Sequence, residues 1–104
     1  MAWFHLVLAG LLEIVWATAM KQSAGFTRLL PTAVMVAGMI GSFWLLALAM
    51  RTLPLGTSYT VWVGIGAVGA FLLGIVMFGE PVTPARLLAA ALIVAGIVVM
   101  KLAS

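Results

Sequence analysis

The run AWFHLVLAGLLEIVWATAM, residues 2–20, decides what kind of chain this is. It is long enough for an α-helix to cross ~30 Å of hydrocarbon. Its one acid, Glu13, stands in the middle of the run with apolar residues on both sides. Three more runs share that length and character: residues 29–50, 57–78 and 85–102, the last bounded by Arg86 and Lys101. Strands of a membrane barrel would be about ten residues of alternating polarity, and none of these runs alternates. The reading is an all-α membrane protein, a single four-helix transmembrane domain over residues 1–104.

Composition agrees. Of the 104 residues 66% are hydrophobic and 7% charged, with a mean hydropathy of +1.36. A soluble domain carries about 25% charged residues, so lipid has to solvate much of this surface. The net charge is +3, but the basic residues Lys21, Arg28, Arg51, Arg86 and Lys101 are scattered singly. Nucleic-acid binding needs a clustered basic stripe, so no nucleic-acid partner is expected. With no cysteine, disulfides and thiolate metal sites are excluded. His5 reads as an interfacial residue without a second ligand beside it, and neither metal nor cofactor is expected. The first run lacks a basic leader and holds an acid, which argues against a cleaved signal.

The links KQSAGFTR, RTLPLG and GEPVTP are short and carry glycine or proline just past each apolar run. Short links make consecutive helices antiparallel. One side of the membrane then receives Arg51 and Lys101, the other Lys21, Arg28 and Arg86. Two against three is almost no positive-inside bias. Insertion both ways round follows naturally, although one extra charge also suffices to fix a single orientation.

Glu13 is the residue to explain. A carboxylate at helix centre costs about 2.5 kcal/mol or more, and intramembrane acids ordinarily face a cavity and carry function. A proton or a cation can neutralise it, so the position suits exchange of one for the other. The alternative is a structural acid, protonated and bonded to a neighbouring helix. The second acid, Glu80, lies in the third link and reads as a solvated turn residue or a partner for a loop arginine. Gly10 and Trp16 share the Glu13 face at helical spacing. Gly10 leaves space beside the carboxylate, and Trp16 offers a cation an indole face. In the third helix Tyr59 and Trp62 stand three apart and offer a hydroxyl and an indole N–H to a carboxylate. Ser42 either bonds its own helix or points at Glu13. Gly64 and Gly66 permit a hinge or close helix contact. Ala89, Ala95 and Gly96 make the fourth helix, which has no polar side chain between Arg86 and Lys101, a packing element. Three helices around one carboxylate form only half a shell, which a second, inverted copy would complete.

Over essentially its whole length the chain resembles the small multidrug resistance family of four-helix bacterial exporters. The resemblance rests on Glu13, MKQSAGFTRLLP from Met20, SFWLL from Ser42 and LPLGTSYTVWVGIGA from Leu53. GLLEIVWA and FGEPVTPAR look like its guanidinium-exporting branch. The resemblance implies an antiparallel, dual-topology homodimer in the bacterial inner membrane that exchanges a cation for protons at paired Glu13 carboxylates. Guanidinium, protons, the bilayer and a second copy of the chain are the implied partners. One departure is Ala89, where the family often has glycine. The rival readings are a broader quaternary ammonium exporter of the same family and a non-transporting membrane assembly protein. Trp16 narrows the site against the first. Glu13 argues against the second, which needs no protonatable centre.

Overall fold

A computed structural model describes residues 1–103. Four helices follow one another: α1 (Ala2–Gln22), α2 (Leu29–Ala49), α3 (Leu55–Phe78) and α4 (Pro84–Leu102). Each is long and apolar enough to span a membrane, with mean hydropathy from 1.6 in α1 to 2.3 in α3. Their ends depart from the apolar runs where local chemistry overrides hydropathy. Lys21 and Gln22 extend α1 because long polar side chains remain good helix formers. Pro54, extended at φ −61° and ψ 153°, caps α3 two residues earlier than the apolar run implied. Pro84 opens α4, where its missing N–H is no loss, and the Thr83 hydroxyl accepts the Arg86 N–H at 3.2 Å.

The links are tightly built. Ala24, Gly25 and Phe26 are all left-handed, at φ 51°, 75° and 70°. Ser23, fully buried, pins this turn: its hydroxyl donates to the Met20 carbonyl at 2.7 Å and accepts the Phe26 N–H at 3.1 Å. α3 stops at Gly79, left-handed at φ 65°, and the Glu80 N–H returns to the Gly74 carbonyl at 3.1 Å. Glycine past the last turn is the usual way to close those carbonyls.

α1 is the middle of the bundle. It packs along both α2 and α3, which meet one another only marginally, while α4 lies along α3 and reaches α1 through a side chain, with Lys101 over the Trp3 ring. The result is a slab of 40 × 34 × 16 Å. Its core joins Leu6 and Ala9 of α1, Leu46 and Ala49 of α2, and Val61 and Trp62 of α3. No residue of α4 is buried. Ala89, Ala95 and Gly96 lie exposed, and a Cβ on Gly96 would meet nothing within 4 Å.

Small residues set the helix spacing. A Cβ on Gly10 would sit 2.6 Å from Ile65 Cγ2, so α3 fills the space that the spacing argument gave to the carboxylate. Gly64 does the same for α4, where a Cβ would come within 2.9 Å of Ile97 Cδ1. α3 runs unbroken through Gly64 and Gly66. Gly10→Ala should therefore destabilise the protein by about 1–3 kcal/mol through overpacking. Gly56→Ala, with nothing within 4 Å, should be neutral or stabilise by up to ~1 kcal/mol. Reversible unfolding in detergent compares the two, and equal effects would mean that the α1–α3 contact does not limit stability.

Candidate functional site

Glu13 projects from α1 onto the backbone of α3 at Gly66. A Cβ at position 66 would collide with its Oε1 and Cδ, so glycine there is what makes room for the carboxyl group. Oε1 is buried and has no hydrogen-bond partner among the described residues. A buried polar atom left unpaired costs about 1–3 kcal/mol, and such exceptions call for an explanation.

The expected donors are engaged elsewhere. The Ser42 hydroxyl, fully buried, donates to the Ala9 carbonyl at 2.7 Å and accepts the Trp62 indole N–H at 2.9 Å. It bonds neither its own helix nor Glu13. Ala9 stands four residues before Glu13, so its carbonyl is the one that closes the helical turn at Glu13. Ser42 thus ties α2, α1 and α3 together one turn from the carboxylate. Apolar walls leave a buried hydroxyl few acceptors, and the backbone of the adjacent helix is the nearest strong one.

Aromatic rings extend this junction. Phe43 meets Trp62 edge-on at 5.7 Å and Trp16 edge-on at 6.2 Å, while Tyr59 tilts against Trp62 at 5.6 Å. Trp16 lies inside the bundle, where a Cβ on Gly38 of α2 would come within 3.0 Å of its own Cβ. Its buried Nε1 has no partner among the described residues. Tyr59 does not reach the carboxylate. It is 53% exposed and lines a cavity of about 480 Å³ between α3 and α4, beside Gly64, Gly96 and Met100.

Glu13, Gly66, Ser42, Trp62, Phe43 and Trp16 thus converge, while Tyr59 turns outward and Gly10 is occupied by Ile65. Phe43 and the seat at Gly66 escaped the sequence reading. Both lie on faces that hydropathy cannot single out, and only the Phe43 position beside Ser42 hinted at its place. Glu80 pairs with Arg86 at 3.5 Å and rests against Gly74, well away from this centre in sequence and at the end of α3. The Ser42 junction makes a direct prediction. Ser42→Ala orphans the Trp62 N–H and should cost about 1–3 kcal/mol, with quenching or a wavelength shift in Trp62 fluorescence. Unchanged stability and emission would show that the bridge contributes nothing.

Comparison with known proteins places the chain. The Small Multidrug Resistance protein family matches residues 1–102. The guanidinium exporter of Citrobacter freundii is 56% identical over 104 residues, covering 100% of this chain and 99% of that protein. The guanidinium exporter of Yersinia pseudotuberculosis is 55% identical over 100% of both. Proteins of this kind are transporters, not enzymes, and the four spanning helices make this chain a multi-pass protein of the bacterial inner membrane. The chain belongs to the small multidrug resistance family.

Proposed function

We propose that the protein exports guanidinium across the inner membrane in exchange for protons, and that two inverted copies do so by alternating access. The observation that carries this reading is the Glu13 carboxyl oxygen, without a partner among the described residues, in the middle of a spanning helix. Relatives more than half identical bear the name guanidinium exporter, and guanidinium suits the chemistry. It is planar, carries only donors, and pairs with a carboxylate through two parallel hydrogen bonds.

Each residue then has a role. Glu13 binds a proton or the cation, not both. Trp16 walls the site and offers an indole face, which attracts cations most strongly among the aromatics. Ser42 and Trp62 position the α1 turn that carries the carboxylate. Tyr59, on the open side of α3, is free to donate across an interface. Gly64 and Gly66 give α3 its least resistance to bending during the cycle. The unburied α4, with Ala89, Ala95 and Gly96 on open faces, supports association with a second copy. The nearly balanced loop charges support insertion of that copy the other way round.

Competition for one carboxylate fixes the sign of the pH dependence. While the site is mostly protonated, apparent guanidinium affinity should fall about tenfold per unit drop in pH for each proton displaced. Glu13→Gln keeps the shape but cannot ionise. It should fold and transport nothing in liposomes where the wild type couples guanidinium flux to proton movement. Coupled transport by that variant would make Glu13 structural. For topology, adding two or three lysines to one side's loops should force a single orientation and abolish activity until an oppositely oriented copy is supplied. Full activity from a protein accessible on one side only would refute the inverted pair.

A further inference from the structure

At the end of the bundle where α1 begins and α2 ends, the helices part around a crevice of about 360 Å³ lined by Ala2, His5, Leu48, Arg51 and Thr52, with Met1 at its edge. Arg51 and His5 are its ionisable side chains, and Thr52 adds a hydroxyl. Neither acid of the chain is there: Glu13 is mid-membrane on α1, and Glu80 follows α3. Among the described residues the one ion pair is Arg86 with Glu80. Arg51 is exposed and faces the crevice with no carboxylate partner among the described residues. The loop holds it there through its backbone, with the Arg51 N–H on the Leu48 carbonyl at 3.2 Å and the Thr52 N–H on Ala49 at 3.3 Å. Among the described residues neither the Arg51 guanidinium nor the Thr52 hydroxyl has a partner, which leaves both donors open to a group from outside the protein.

Depth says what that is. A helix of 21 residues rises about 30 Å, the thickness of the hydrocarbon layer. The first turn of α1 and the residues just past α2 therefore lie at the level of lipid phosphates. The other basic side chain here is already engaged, since Lys101 Nζ lies over the Trp3 ring at 4.3 Å. The mouth combines apolar walls from Ala2 and Leu48 with a forked cation, a hydroxyl and an imidazole that donates an N–H in either protonation state. A guanidinium fork matches a phosphate with two parallel bonds, and basic pockets between spanning helices bind anionic headgroups.

We propose that this crevice is a binding site for the phosphate of an anionic phospholipid, held by Arg51, Thr52 and His5. The acyl chains run down beside Leu48 in the bilayer. This site is separate from the Glu13 centre and does not depend on what the protein transports.

The test is native mass spectrometry of the purified protein in neutral detergent, supplied with equal amounts of phosphatidylglycerol and phosphatidylcholine. The wild type should retain phosphatidylglycerol selectively. Arg51→Lys/Thr52→Val keeps the loop charge, and hence the topology signal, but removes the fork and the hydroxyl. It should lose about fivefold in phosphatidylglycerol retention with phosphatidylcholine unchanged. Arg28→Lys, at the opposite end of the bundle, is the control and should retain phosphatidylglycerol as the wild type does. If the double variant fails to fold, His5→Ala must show a selective loss in its place. Equal retention of both lipids, no loss in the variant, or an equal loss in the control would each overturn the proposal. Millimolar inorganic phosphate that displaces the lipid and alone raises the melting temperature would reassign the crevice to a soluble anion, which also overturns it.

Discussion

Hydrocarbon offers a polar group no water to fall back on, and this chain answers that demand differently for two polar side chains near the middle of its spanning helices. Ser42 is fully satisfied, giving its proton to Ala9 and taking one from Trp62. Glu13 is given room but, among the described residues, no partner for Oε1. The first arrangement depends on three helices meeting at one hydroxyl, and the second on a glycine of α3 lying opposite the carboxyl group. Nearly everything that positions the site follows from these two facts. α1 has to be the central helix, because the carbonyl that Ser42 holds and the carboxylate that Gly66 admits are one turn apart on it. α2 and α3 need not touch for most of their length, since both are keyed to α1.

That division of labour also separates rigidity from chemistry. The bridge at Ser42 fixes the backbone turn beneath Glu13 and buries its own polarity, so it adds stiffness without adding charge. Phe43 extends the effect by standing edge-on to Trp62 and to Trp16, which links the indole walls through one ring. A carboxylate held on a stiff turn can exchange what it binds without the local backbone reorganising. Motion in the proposed cycle then belongs to whole helices.

Much of this is legible in the residues themselves. The four spans followed from length and hydropathy, and Glu13 followed from being an acid where acids are costly. The helix ends shifted at Pro54, at Pro84 and at the polar pair Lys21 and Gln22, and α2 closes at Ala49, one residue short of its apolar run. Roles within the site were harder to read. Gly10 looked like the space beside the carboxylate, yet Ile65 fills it and Gly66 provides the seat. Trp62 looked like a donor to Glu13, and Ser42 like a donor to Glu13 or to its own helix, yet Trp62 gives its N–H to Ser42 and Ser42 gives its proton to the Ala9 carbonyl. Tyr59 shares a helical face with Trp62 by spacing but opens toward α4. In a soluble helix polarity marks the outer face. In α2 and α3 both faces are apolar, so lipid-facing and protein-facing positions carry the same signature, and only packing distinguishes them. The loop acid Glu80, read as either a solvated turn residue or a partner for a loop arginine, takes the second course with Arg86, because it lies where charge is ordinary.

The slab is only 16 Å thick, about the width of one helix with its side chains and half of another. No side chain in such a body is far from an outer surface, and α4 has no buried residue, lending the core only the partly covered Ile97 and Met100. Most soluble folds finish their interior with their own residues, whereas this one leaves that task to whatever lies against it in the bilayer. Its neighbours are then part of its core in the energetic sense. Folding free energy becomes a function of the surrounding medium: of acyl-chain length, headgroup charge and the number of protein molecules per unit area of membrane. A small chain of this form is stable as a member of its membrane, and its stability measured in any one detergent is a property of that pairing.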